Sequence, residues 1–101
     1  MYEITTLDEL NNILINNSNV VVDFYADWCE PCKQISPYFE ELSSQYPQVF
    51  FCKVNIVDND DITSLCDITS LPTFLFYKNK ENVDELIGIN KNELLHKIQL
   101  L

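Results

Sequence analysis

The chain has 101 residues, 47% of them hydrophobic, which suffices for one buried core but not two, so we expect a single domain over residues 1–101. Its 16 acidic and 6 basic residues give a net charge of −10, which disfavours nucleic acid and membranes as partners and favours basic protein surfaces. With no apolar run of membrane-spanning length and no leader-like N-terminus, the sequence predicts a cytoplasmic protein in a reducing compartment, and we expect a monomer.

The first half of the chain predicts a helix followed by a central strand. Thr6-Leu7-Asp8-Glu9 has the pattern of a capping box, and apolar residues at helical spacing follow it. The run from Val20 to Ala26 is apolar, β-branched and aromatic, as in a strand covered on both faces. Asp23 interrupts this run: burial without a partner would raise the pKa of its carboxyl, and the alternative is a place on a solvent-facing strand surface.

Two cysteines, Cys29 and Cys32, follow that strand and begin the predicted second helix, residues 29–46. Residues i and i+3 in a first helical turn bring their Cβ atoms within reach of one S–S bond. Free N–H groups and the helix dipole favour the thiolate of Cys29, so we predict Cys29 as the nucleophile and Cys32 as the resolving thiol. Pro31 suits the first turn and stiffens the loop between the sulfurs.

The same pair could be half of a zinc site or a structural disulfide. Zinc commonly takes four ligands, but Cys52 and Cys66 are isolated and His96 is the only histidine. A bridge this short closes almost no loop and restrains the unfolded chain little. We therefore predict no metal and no cofactor, and free thiols at the other two cysteines. Cys66 is expected to be a buried inert thiol, with a secondary redox site as the alternative.

The rest of the chain predicts further strands and helices, giving the order β, α, β, α, β, α, β, β, α. The predicted elements are a strand at 49–56, a helix at 58–67, strands at 73–77 and 83–87, and a helix that opens at residue 90. A hairpin turn is expected at Asn79-Lys80, and Gly88, the only glycine, is expected at a bulge or a close backbone approach. Strands alternating with helices predict parallel pairing, with the antiparallel hairpin at one edge and helices on both faces.

Taken together, these residues resemble the thioredoxin family. Residues 20–29, VVVDFYADWC, are similar to the strand that leads into the active site of thioredoxins, and residues 71–74, LPTF, are similar to their proline segment. The resemblance extends over essentially the whole chain. It implies an α/β thioredoxin fold, a central mixed sheet with helices on both faces. It also implies a protein-disulfide reductase that exchanges thiols for disulfides through Cys29 and Cys32 and serves cell redox homeostasis.

The resemblance also implies roles for residues around the pair. Asp23 falls where thioredoxins carry a buried acid, and is expected to accept the proton of Cys32. Lys53 matches a lysine near that acid and is expected to lower its pKa, with an exposed charge as the alternative. The Leu71–Pro72 peptide is cis in the family and leaves backbone free to pair with a substrate segment. The implied substrate contacts are Trp28, Leu71, Pro72 and Gly88.

The implied partners are disulfide-containing client proteins and a flavin- and NADPH-dependent thioredoxin reductase that reduces the pair again. A disulfide oxidase or isomerase is one alternative, although Glu30-Pro31 lacks the histidine that disulfide isomerase domains have between their cysteines. A non-catalytic binding module with the same fold is the other.

The sequence departs from the family pattern at Glu30, Lys80 and Tyr25. Glu30 stands where thioredoxins normally have glycine, and its carboxylate should oppose the Cys29 thiolate by about half a pKa unit. That effect would move the pair towards a more reducing potential. Pro31, the other residue between the cysteines, is also expected to tune this potential. Lys80 replaces a usual hairpin glycine, and Asn79 is expected to compensate by adopting the left-handed conformation. Tyr25 replaces a common tryptophan, and we expect the mechanism to be unaffected.

Overall fold

A computed structural model describes residues 1–101 and has its elements in the predicted order. The strands are β1 (Tyr2–Ile4), β2 (Asn19–Tyr25), β3 (Phe50–Asn55), β4 (Thr73–Lys78) and β5 (Glu81–Ile87). The helices are α1 (Leu7–Asn16), α2 (Glu30–Gln45), α3 (Asp60–Leu65) and α4 (Lys91–Gln99). None of these helices is both long and apolar enough to span a bilayer.

The strands form one mixed sheet in the order β1-β3-β2-β4-β5. β3 pairs in parallel with both β1 and β2, whereas β4 is antiparallel to β2 and β5 is antiparallel to β4. The parallel strands are joined by helical crossovers, and the hairpin of β4 and β5 closes one edge. This is the predicted thioredoxin fold, and the prediction is confirmed.

One hydrophobic cluster covers each face of the sheet, because successive strand residues point to opposite sides. On β2, Val20, Val22 and Phe24 pack with residues of α1 and α3, while Val21 packs with residues of α2 and α4. Asp23 shares the side of Val21, so strand periodicity places its carboxyl on the α2 side of the sheet. That side also carries the cysteine pair.

The first helix begins as predicted, with one difference in its cap. The Thr6 hydroxyl accepts the Glu9 N–H at 3.1 Å, which is one half of a capping box. The Glu9 carboxylate accepts from the backbone N–H of Thr5, at 2.8 Å, and so reaches one residue beyond the helix cap. Hydrogen bonds to this carboxylate from the Thr5 hydroxyl, the Tyr2 hydroxyl and the Thr5 N–H hold the pKa of Glu9 down at about 2.

The hairpin turn consists of Asn79 and Lys80, and Asn79 has the predicted left-handed conformation, but Lys80 has it too. Both residues have positive φ, 50° at Asn79 and 73° at Lys80. A two-residue turn of this kind needs left-handed backbone at both positions, because only then does its twist match that of the strands. Asn79 therefore does not compensate for the missing glycine.

Gly88 also differs from its prediction. The register shift in the hairpin lies between Phe76 and Tyr77, and a Cβ added at Gly88 would meet nothing within 4 Å. Neither a bulge nor a close approach therefore explains the glycine. Its φ of +103° does, because side-chain-bearing residues rarely adopt that conformation.

Candidate active site

Cys29 and Cys32 are joined in a disulfide at the start of α2, with their Cα atoms 5.3 Å apart. Cys29 is the N-cap residue, Pro31 lies in the first turn, and the Cys32 N–H donates to the Cys29 sulfur at 3.3 Å. In the reduced protein the same N–H and the positive end of the helix would stabilise negative charge on Cys29. The predicted position of the pair at a helix N-terminus is confirmed.

Cys29 lies in a groove of about 520 Å³ on the surface of the protein. The apolar part of the groove is formed by Trp28, Pro31, Ile56, Ile68 and Leu71. Trp28 is 68% exposed, whereas Cys29 itself is only 6% exposed. The side of Cys29 that lines the groove is therefore approached across an apolar surface.

The residues predicted to contact substrate are split between two places. Trp28 and Leu71 line the groove, and Leu71 also packs against the cysteine pair. Pro72 is buried, and neither Pro72 nor Gly88 lines the groove. The Leu71–Pro72 peptide is cis, as the resemblance implied, and the Pro72 carbonyl accepts the N–H of Gly88 at 3.0 Å. Pro72 and Gly88 thus fix the backbone on which Leu71 is presented.

Cys32 lies in a second, smaller cavity of about 150 Å³ on the α2 side of the sheet. Asp23 and Lys53 line the same cavity, so the structure brings the predicted acid and lysine together with the cysteine predicted to be the resolving thiol. Asp23 is 3% exposed, and its Oδ1 has no hydrogen-bond partner in the protein. Burial raises the pKa of Asp23 to about 7, against a lowering by Lys53 and a further raising by Glu3.

Lys53 makes its closest charged contact with Glu3, which the sequence analysis missed. The Lys53 Nζ lies 3.9 Å from Glu3 Oε1 and 5.0 Å from the centre of the Tyr25 ring. The Tyr25 hydroxyl donates to both oxygens of Glu3, at 2.7 and 2.8 Å. Burial and this bond to Glu3 raise the pKa of Tyr25 above its usual value. A tryptophan at this position would have no hydroxyl for the contact.

Glu30 is exposed and pairs with a lysine one turn along the helix. The Lys33 Nζ lies 3.3 Å from Glu30 Oε1. The i, i+3 spacing of the two residues is visible in the sequence and is the signal that could have predicted this pair.

The two remaining cysteines are free, as predicted. Cys52 is fully buried, its thiol lies 3.6 Å from the Val21 carbonyl, and burial strongly raises its pKa. Cys66 is half-buried beside the Tyr77 hydroxyl, 3.9 Å away, and burial raises its pKa as well. Cys66 does not line either cavity of the cysteine pair, and no group of three or more His, Cys, Asp or Glu side chains is placed to hold a metal.

Comparison with known proteins decides the family. The family model described as Thioredoxin matches residues 2–100. The chain belongs to the thioredoxin family. The Cys29–Cys32 pair of this thioredoxin is its redox-active disulfide, and its activity is dithiol–disulfide exchange.

One relative and two solved structures similar to this thioredoxin illustrate the match. Thioredoxin 1 of Plasmodium falciparum is 42% identical over 96 residues, which cover 95% of this chain and 92% of the relative. A solved Plasmodium falciparum thioredoxin superposes with a TM-score of 0.96 at 40% identity, covering 99% of this chain and 98% of that one. A chain from a structural study of thiol resolution in yeast mitochondrial 1-Cys peroxiredoxin via glutathione/thioredoxin systems has a TM-score of 0.96 at 35% identity, covering 100% and 95%.

Proposed function

We propose that this thioredoxin is a reductant of protein disulfides in a reducing compartment, the cytoplasm, and that it acts through its Cys-Glu-Pro-Cys motif. The observation that carries the proposal is that the two cysteines of one disulfide line different spaces. Cys29 lies in the apolar surface groove, and Cys32 lies in the small cavity with Asp23. One sulfur can meet a client while the other exchanges its proton with an acid.

The reaction has two exchange steps that move two electrons from the protein to the client. The Cys29 thiolate attacks a client disulfide, so that one S–S bond forms between Cys29 and the client and the second client sulfur leaves as a thiolate. Cys32 then gives its proton to Asp23 and attacks the Cys29 sulfur. This closes the Cys29–Cys32 bond and releases the second client thiol.

Asp23 suits the role of proton acceptor because its pKa of about 7 lies near the pH of a cell. An acid with such a pKa accepts a proton from a thiol and returns it to solvent without a large barrier at either stage. Lys53 is the tuning residue in this proposal, since its positive charge lowers the pKa of Asp23 from the value that burial alone would set.

The client contacts we propose are an apolar surface and a short stretch of backbone. Trp28 and Leu71 supply the apolar contact in the groove, and the backbone at Leu71 would pair with an extended client segment. Pro72 and Gly88 act indirectly, by holding that backbone through their mutual hydrogen bond. Glu30 and Pro31 also line the groove and tune the potential of the pair.

The partners we propose are client proteins that contain disulfides and a flavin- and NADPH-dependent reductase. A peroxiredoxin is a suitable first client to test, because the similar yeast chain comes from a study of peroxiredoxin thiol resolution via glutathione/thioredoxin systems.

A redox titration tests the proposal. The protein is equilibrated with buffers of defined thiol–disulfide ratio while Trp28 emission is followed, since this single tryptophan directly precedes Cys29. We expect one two-electron transition at or below the glutathione potential of the cytosol. A much more oxidising midpoint would instead indicate an oxidase or isomerase. The Cys29→Ser variant is the matched control and should show no transition. If the wild-type protein also showed no transition, the non-catalytic binding module would be the remaining function.

A further inference from the structure

Polar side chains from neighbouring strands form a row on the α2 side of the sheet. Glu3 of β1 is the register partner of Lys53 of β3, and Lys53 is the register partner of Asp23 of β2. Strand periodicity places all of them on the same side, together with Tyr25 two residues beyond Asp23. The row therefore contains two carboxyls with one ammonium between them.

The ammonium of this row is directed at Glu3. Lys53 Nζ lies 3.9 Å from the Glu3 carboxylate and above the Tyr25 ring, and it makes no ion pair with Asp23 within 4.0 Å. Tyr25 fixes the Glu3 carboxylate with hydrogen bonds to both of its oxygens. The result is that Asp23, although it is the register partner of the lysine, keeps a buried oxygen without a hydrogen-bond partner.

We propose that Glu3 and Tyr25 are positioning residues that hold Lys53 away from Asp23 and thereby keep Asp23 a strong enough base to take the proton of Cys32. The inference rests on the proposed function, since it assumes that proton transfer. A lysine in direct contact with Asp23 would stabilise the carboxylate and weaken it as a base. Glu3 prevents this by competing for the ammonium, and its own negative charge further favours the protonated form of Asp23.

Few other ionisable groups surround Asp23. From α2, Cys32 and Lys33 line the same cavity, and Asp27 approaches from the loop between β2 and α2. The β4 register partner of Asp23 is Phe74, which is neutral. Cys52 of β3 points to the opposite face of the sheet.

The first measurement is the pKa of the Asp23 carboxyl in the oxidised protein, followed by NMR of labelled carboxyl carbons. Glu3→Gln should lower it by at least about half a unit. Tyr25→Phe should lower it by less, because the freed Glu3 side chain can turn to solvent. In the Glu3→Gln background, Tyr25→Phe should cause no further change in the Asp23 pKa. Glu81→Gln, which removes the same charge from the opposite sheet edge, is the control and should leave the pKa unchanged.

A background without the lysine separates positioning from simple charge repulsion. If Glu3 acts by drawing Lys53 away, Glu3→Gln shifts the Asp23 pKa more in the wild-type background than in Lys53→Met. An equal shift in both backgrounds would overturn the proposal, and so would an unchanged or raised Asp23 pKa in Glu3→Gln.

A kinetic measurement separates this inference from the proposed function. The reduced protein is mixed with Ellman's reagent, and the second phase of thionitrobenzoate release reports the attack of Cys32. We expect the pH midpoint of this phase to fall in Glu3→Gln in parallel with the Asp23 pKa. An NMR shift without a kinetic shift would refute proton transfer to Asp23 while the positioning of Lys53 stood.

Discussion

Lys33 Nζ lies 3.3 Å from the Oε1 atom of Glu30, so the acidic residue inside the redox motif is paired within its own helix. Both side chains are more than half exposed, 57% for Lys33 and 75% for Glu30. An exposed pair of this kind contributes little to stability and is screened by salt. The Glu30–Lys33 pair matters for its electrostatic effect on Cys29, because the negative and positive charges partly cancel each other at the Cys29 sulfur.

The first prediction concerns the Cys29 thiolate. Glu30→Gln should lower the Cys29 pKa by less than about half a unit, because Lys33 already offsets part of the carboxylate charge. Lys33→Gln should raise the pKa by a similar amount. The rate of alkylation against pH, at low ionic strength, measures both shifts. A rise in Glu30→Gln would contradict the prediction, and high salt should shrink both effects.

The second prediction follows from the separate environments of the two sulfurs. Cys32→Ser should accumulate a stable mixed disulfide between Cys29 and a disulfide-bonded test peptide, because no resolving thiol remains. Intact-mass analysis under non-reducing conditions detects the adduct. Cys29→Ser should give none, and Cys66→Ser, which changes a thiol outside both cavities, should behave as wild type. Equal trapping by both active-site variants would show that the roles are not divided.

The third prediction concerns the pH dependence of stability. The pKa of Asp23 is raised from 3.8 to about 7, so its stabilising contribution is complete below pH 3.8 and is lost as the pH rises through about 7. At about 1.4 kcal/mol per pKa unit, the loss approaches 4 kcal/mol as an upper bound. Asp23→Asn removes this pH dependence. Its stability relative to wild type, from urea unfolding of the oxidised forms, should therefore rise between pH 4.5 and pH 8.

Asp84 provides the control for this measurement, because its titration has the opposite sign. Its hydrogen bond from Lys97, at 2.8 Å, lowers the pKa of its carboxyl. The resulting stability is present above the unfolded pKa and is lost as the pH falls through the lowered value. Asp84→Asn should thus lose stability at neutral pH but not in strong acid. If Asp23→Asn followed the same pattern, its carboxyl would not be the raised one.

The fourth prediction concerns the hairpin turn. Lys80 holds a φ of 73°, which costs a side-chain-bearing residue about 1 kcal/mol. Lys80→Gly should remove this cost and raise the Tm by about 4 °C, after part of the gain is lost to the greater flexibility of glycine in the unfolded chain. Lys80→Gln is the control, since it removes the charge and keeps the β-carbon. A rise of equal size in that variant would assign the effect to charge.

The sequence was sufficient for features that depend on local spacing. The cysteine pair and the hairpin turn lie where predicted, because a few neighbouring residues determine each feature. Cys29 and Cys32 are one helical turn apart, and two turn residues separate two apolar strands. The order of the elements and the sheet followed from periodicity and from the family resemblance.

The row of Glu3, Lys53 and Tyr25 could not be predicted in this way. Glu3 and Tyr25 are 22 residues apart, and their contact depends on the parallel register of β1 and β2 on either side of β3. A register fixes which residues become neighbours, but hydrophobic patterns alone do not place a short edge strand such as β1. From the sequence alone, Tyr25 was therefore an ordinary replacement of one aromatic residue by another, with no partner for its hydroxyl.

Cys52 occupies the middle of β3, with Tyr2 of β1 and Val22 of β2 as its register partners, and none of its surface is exposed. An alkylating reagent can reach it only when the strands beside it or the helices packed over it move apart. In the oxidised protein with Cys66 replaced by serine, the rate of Cys52 modification therefore measures how often this opening occurs. The temperature dependence of that rate gives the enthalpy of the opening. The buried thiol of Cys52 thus reports, from inside the folded protein, how often its surroundings open.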